Sequence, residues 1–144
     1  MSRQRTHVFD NAAHTARQWL CEVAERFPTA DEDFAYRALR SWLHLVRDQL
    51  APESTAHLAA QLPELLRGVF YEGWRPAHVP ASLGAAEFAA EYAVLAGISQ
   101  ADVDRTAPVV TAALADRLSP GLIDKILGQL RHDVRALIAA PDPG

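Results

Sequence analysis

Histidine is the first residue type to ask for chemistry, because imidazole titrates near neutrality and ligates metals. The chain carries six, but none stand at H-x-x-x-H spacing, and neither C-x-x-C nor Glu-x-x-His occurs. A zinc site therefore lacks the converging ligands of a tetrahedron. Asp10/His14 and Glu53/His57 are spaced i, i+4 and read as exposed ion pairs. His44 lies four residues before Asp48, the form of a carboxylate-oriented general base. With no nucleophile or oxyanion donor nearby, it reads instead as a helix-surface histidine. The single Cys21 sits one step off an inward stripe and reads as a buried, inert thiol. Glu87 and Glu91 share a helix face beside Tyr92. They read as a solvated acidic face, since a di-metal bundle site needs matching Glu-x-x-His motifs on other helices. Phosphate loops of the G-x-x-x-x-G-K and G-x-G-x-x-G types are missing, and so is Gly-x-Ser-x-Gly. No catalytic residue, metal ligand or cofactor is assigned, and the balance is against an enzyme.

The richest segment is Arg67-Gly-Val-Phe-Tyr-Glu-Gly-Trp-Arg-Pro76, which gathers three aromatics, two arginines and a carboxylate. Aromatic residues and Arg dominate binding hot spots because they bury large areas and keep directed polar tips. Phe70 continues an apolar stripe and is expected in the core. Arg67, Tyr71, Glu72, Trp74 and Arg75 are the candidate binding residues. They can close the fold by clamping the following loop, or they can meet a partner. A second arginine pattern, Arg37, Arg40 and Arg47, with Arg3 and Arg5 in the N-terminal arm, resembles a basic strip that could enter a nucleic-acid groove. Glu32, Asp33 and Asp48 flank the strip, and the net charge is -4, which disfavours phosphate binding.

Helices must position these residues. Ala16, Trp19, Leu20, Val23, Ala24 and Phe27 recur at helical spacing, with Asp10 or Asn11 as cap and Phe27-Pro28 as stop. Thr29-Ala-Asp-Glu32 reads as a capping box opening a second helix, whose broad apolar face places it centrally. Pro52 suits the first turn of a third stretch, which Pro63 should split. Residues 73–84 hold two prolines and two glycines and read as a long loop, a common carrier of function. A helix through Phe88, Tyr92 and Leu95 then ends at Gly97. Ser99-Gln-Ala-Asp102 opens another, with a kink expected at Pro108, and Ser119-Pro120 opens the last. Pro141-Asp-Pro-Gly144 reads as a tail. No stretch alternates with period two, so no sheet is expected.

Alanine appears 27 times, and arginine outnumbers lysine 13 to 1. Both biases favour helix and fit a GC-rich bacterial genome. No apolar run approaches the roughly 18 residues of a membrane span. The basic start lacks an apolar h-region, so no signal peptide is read. One cysteine fits a reducing compartment, and a cytoplasmic location is expected.

An offset of 68 aligns Arg37/Arg105, Asp48/Asp116, Leu50/Leu118, Pro52/Pro120, Gln61/Gln129, Leu62/Leu130 and Arg67/Arg135. Val46/Leu114, Leu58/Ile126, Leu66/Val134 and Phe70/Ile138 keep apolar character. The spacing predicts one all-α domain over 1–144, a compact bundle of six to seven helices. It is built from two related three-helix halves, about 9–72 and 84–140, joined by loop 73–84.

Phe34-Ala-Tyr-Arg-Ala-Leu-Arg, Leu58-Ala-Ala-Gln-Leu-Pro63 and Leu66-Arg-Gly-Val-Phe-Tyr-Glu-Gly-Trp74 together resemble the bacterial domain of unknown function 2267 family. The resemblance covers roughly residues 9–140. It implies a small all-helical protein with two related halves, and it implies no activity. The second half departs from the pattern, with Gly128-Gln-Leu-Arg131 lacking the proline and Gly121-Leu-Ile replacing a more acidic stretch. The functional expectation is a non-catalytic cytoplasmic interaction or adaptor module that binds a protein partner or itself. The alternatives are a small-molecule or metal site between the halves, lined by His44, Glu72 and His78, and nucleic-acid binding through the Arg37–Arg47 strip.

Overall fold

The computed structural model describes residues 7–141. Arg3 and Arg5 of the expected basic arm, and Asp142 to Gly144 of the expected tail, lie outside the described residues. The chain order is α1 (His7–Glu25), α2 (Glu32–Asp48), α3 (Pro52–Gln61), α4 (Glu64–Tyr71), α5 (Ala85–Ala96), α6 (Val103–Arg117), α7 (Leu122–Leu127) and α8 (His132–Ile138). Single 3-10 turns stand at Pro76–His78 and Gln100–Asp102. No strand occurs among the described residues.

Helix α2 is the axle. Its side chains Ala35, Ala38, Leu39, Trp42, Leu43 and Val46 are almost wholly buried, and α1, α4, α5 and α6 all pack against it. An apolar surface that wide can be covered only by helices on several sides. Trp42 donates its Nε1–H to Thr111 Oγ1 on α6 at 2.8 Å, and that hydroxyl donates to Ile138 O at the end of α8 (2.6 Å). Tyr92 of α5 donates to Ala38 O at 2.8 Å. Buried polar atoms on the axle thus find partners in other helices, as the low dielectric demands. Trp19 is also buried, with the Arg117 guanidinium 5.7 Å from its ring centre. Core residues from every helix form one cluster.

Several helix ends differ from expectation. Helix α1 is already running at His7, so neither Asp10 nor Asn11 caps it. The cap of α2 is Asp31 rather than Thr29, with its carboxylate accepting from Asp33 N (2.9 Å) and Phe34 N (3.3 Å). Pro63 does split the third stretch, and it stands as the N-cap residue of α4. Gly97 closes α5 at φ 70°, the left-handed region that glycine enters without a Cβ clash. Helix α6 runs unbroken through Pro108. Among the described residues there are eight α-helices where six or seven were expected, because the last stretch breaks at Gly128–Arg131 without any proline. That stretch also begins at Leu122 rather than Pro120, since Gly121 takes φ 83°. The loop after α4 is not wholly irregular, as its Pro76–His78 turn shows.

Candidate functional site

Helix α4 ends at Tyr71, and its last carbonyls have no partners within the helix. Three α2 side chains at i, i+4 and i+7 fill that role. Arg47, only 3% exposed, donates Nη1 to Phe70 O (2.8 Å) and to Glu72 O (2.7 Å) and Nε to Asp48 Oδ1 (2.9 Å). His44, 8% exposed, places Nε2 at 2.6 Å from Val69 O. A carbonyl only accepts, so this ring nitrogen carries the proton. Arg40 Nη2 donates to the Glu72 carboxylate at 2.7 Å. Cationic and N–H donors thereby gather where the dipole of α4 is negative.

The electrostatics follow. Burial lowers the His44 pKa below the usual imidazole value, and the Val69 carbonyl opposes this only in part. The Arg40 hydrogen bond holds the Glu72 carboxyl below the ordinary carboxylate range. The i, i+4 spacing of His44 and Asp48 makes no dyad, as Asp48 accepts from Arg47. His44 is not a surface residue either. The turn that brings Val69 to Glu72 over α2 buries it, and the residue's own sequence neighbours do not reveal that contact.

Four of the five candidates, Tyr71, Glu72, Trp74 and Arg75, stand together at and just beyond the C-terminal end of α4, and Arg67 does not join them. Arg67 lies back along α3, donating Nε to Ala59 O (2.9 Å) and Nη2 to Leu62 O (3.0 Å). It satisfies carbonyls at the end of that helix. Glu72 is joined to Arg40 while its carboxylate side stays more than half exposed. Phe70 is fully buried, as expected. Tyr71 and Trp74 are half-buried, their rings 5.4 Å apart, and Tyr71 stacks edgewise on Phe70. The Trp74 indole N–H is covered and has no acceptor among the described residues. Arg75 is exposed and enters no salt bridge among the described residues. The result is an aromatic pair and a cation displayed on a backbone held from behind by α2.

The expected basic strip is corrected by the same contacts. Arg47 is buried, Arg40 is joined to Glu72, and Arg37 donates Nε to Ala96 O at the end of α5 (3.0 Å). These arginines serve helix termini and do not form a continuous cationic face. Of the trio His44, Glu72 and His78, His44 turns to Val69 O and Glu72 is joined to Arg40. Among the described residues no group of three or more His, Cys, Asp or Glu could hold a metal ion. Cys21 is half-buried rather than buried, and its thiol donates to Glu32 Oε1 at 3.0 Å. That bond raises its pKa and keeps it protonated. Glu87 and Glu91 are exposed, while Tyr92 between them and the core is spent on Ala38. Burial pushes the Tyr92 phenol pKa well up.

Sequence reasoning missed Arg47 and His44 as the residues that hold this site. The signal was the i, i+4, i+7 register of Arg40, His44 and Arg47 on the helix preceding an aromatic-rich C-terminus. No helix among the described residues is long and apolar enough to cross a membrane. No curated protein matches the chain. A family model described as "Uncharacterized conserved protein (DUF2267)" matches residues 16–137. That span takes in the axle helix, the donors at the end of α4 and the aromatic ridge beyond it, and on it the chain belongs to the DUF2267 family.

Proposed function

We propose that this chain is a non-catalytic, cytoplasmic interaction module that engages a protein partner through Tyr71, Trp74 and Arg75. The observation that carries the reading is the half-exposed Tyr71–Trp74 ring pair beside an Arg75 free of salt bridges to described residues. Arg47 and His44 hold the backbone beneath these side chains, so little ordering entropy is lost on docking. The partner fitting this surface presents an apolar side chain to the two rings and a carboxylate to Arg75. Glu72 rims the surface, and Arg67, turned to the carbonyls of Ala59 and Leu62, takes its part in the fold rather than in the surface.

The same reading takes residues 9–72 and 84–140 as related halves. In its support, the 68-residue offset pairs buried positions with buried positions: Leu50/Leu118, Leu58/Ile126, Leu62/Leu130, Leu66/Val134 and Phe70/Ile138. The pairing fails where Arg47 meets Ala115, so the clamp belongs to one half. The test is Arg75→Glu, a substitution at an exposed side chain that no described contact needs. It should abolish co-purification of a stoichiometric partner, or dimerisation seen by light scattering, at unchanged thermal stability. Unchanged association would reject the surface.

A further inference from the structure

The ends of α4 and α8 are closed in different ways. Arg47 crosses from α2 to Phe70 O and Glu72 O at the end of α4. At the 68-residue offset these three positions become Ala115, Ile138 and Ala140. Thr111, one turn before Ala115 on α6, donates its hydroxyl to Ile138 O at 2.6 Å and so serves the first of the two carbonyls. Ala140 O receives no hydrogen from a described residue. A short side chain thus stands in for a long one, and Ala115 is exposed where Arg47 is buried.

A cavity of about 300 Å³ opens there, lined by Ala115, Ala139 and Ala140, with Ile123 and Leu127 of α7 as an apolar wall. Its volume lies at the lower end of small-molecule sites. Tyr71 and Glu72 occupy the places that correspond to Ala139 and Ala140. Two opposite charges line the same cavity, Asp124 from α7 and Arg135 from α8. They form no salt bridge with each other or with any other described residue. Their counterparts offer neither charge to a ligand, since Ala56 stands for Asp124 and Arg67 is turned to Ala59 O and Leu62 O. Three small residues in place of large ones, an added carboxylate and a released guanidinium therefore all fall on one cavity.

We infer that this cavity binds a free α-amino acid with an aliphatic side chain of about the size of leucine. The carboxylate pairs with Arg135, the ammonium with Asp124 and Ala140 O, and the side chain lies on Ile123, Leu127 and Ala139. A ligand of single charge would meet one of the two lining charges with no partner for it, which selects the zwitterion. The inference rests on the pairing of the halves and shares no residue with the Tyr71–Arg75 surface. The experiment is a ¹H–¹⁵N NMR titration of the full chain with L-leucine. In parallel it uses 4-methylvalerate, which lacks only the ammonium, and 3-methylbutylamine, which lacks only the carboxylate. Leucine should give saturable shifts at Ala115, Asp124, Arg135, Ala139 and Ala140. Each analogue should bind about tenfold more weakly or worse, the worth of one charged hydrogen-bonded contact. Asp124→Asn should weaken leucine but not 4-methylvalerate, and Arg135→Gln should weaken leucine but not 3-methylbutylamine. Ala115→Arg, at an exposed position, should abolish leucine binding by filling the cavity. The thermal midpoint of that variant reads the pairing of the halves separately, rising if the new guanidinium reaches Ala140 O as Arg47 reaches Glu72 O. Non-saturating shifts, equal affinity of leucine and either analogue, or leucine binding unchanged in Ala115→Arg would overturn the assignment.

Discussion

Replacing Arg47 by Met keeps an unbranched apolar stem in place of the buried one and removes every hydrogen bond the side chain makes. Its Nη1 serves Phe70 O and Glu72 O, the first fully buried and the second partly so. A hydrogen bond from a charged donor contributes about 1.5–3 kcal/mol. The contact with Asp48, whose carboxylate is partly exposed, contributes under about 1 kcal/mol. Against this, Met escapes the cost of burying a guanidinium, which is several kcal/mol before its bonds are counted. Water can reach Glu72 O in the variant more easily than Phe70 O, so one orphaned carbonyl dominates the balance. A net destabilisation of about 2–4 kcal/mol follows. Urea unfolding followed by circular dichroism measures it, and native-state hydrogen exchange locates it. The amides of Glu72 and Trp74, bonded to Val69 O and Tyr71 O, should lose protection before those of α5 and α6. A variant within about 0.5 kcal/mol of the parent, with Glu72 and Trp74 still protected, would refute the view that Arg47 holds the ridge.

Other consequences are more compact. Burial depresses the His44 pKa from 6.5, so below that value the unfolded chain binds the extra proton and the folded chain resists it. Stability should therefore fall as the pH drops from about 6.5, and in unfolding measurements across that window His44→Gln, which can still donate to Val69 O, should show a flatter slope. Thr111→Val removes the acceptor of the buried Trp42 N–H and should cost about 1–3 kcal/mol by denaturant titration. Gly97→Ala meets only an ordinary 3.6 Å contact with Arg37, so its loss of about 1–2 kcal/mol should come from backbone strain alone.

The helices were largely legible in the sequence because their signals are local. Apolar residues at i, i+3 and i+4 marked α1, α2 and α5, and the prolines at 28, 52 and 63 and Gly97 marked their limits. The break between α7 and α8 was not legible, because Gly128 keeps a helical φ of -63° and no proline interrupts the run. Phe70 could be placed in the core from its stripe. Arg47 and His44 could not, because a polar residue on a helix face reads as solvated unless its tertiary cover is known. That cover is the backbone of Val69 to Glu72, which reaches α2 across more than twenty residues of chain. The apparent basic strip failed for the same reason, each arginine meeting a distant helix end. Spacing shows which residues share a face, but not which face another helix will occupy.

The most direct measurement of the central claim is site-specific photo-crosslinking in the native cell. A photoreactive residue replaces the exposed Ala77, next to the ridge, in one variant and the exposed Glu91 in another. The account predicts one discrete adduct, to a partner or to a second copy, from position 77 and none from position 91, with Trp74→Leu removing it while the helical signal persists. Equal crosslinking from both positions, or an adduct from position 91 alone, would contradict a docking role for the ridge.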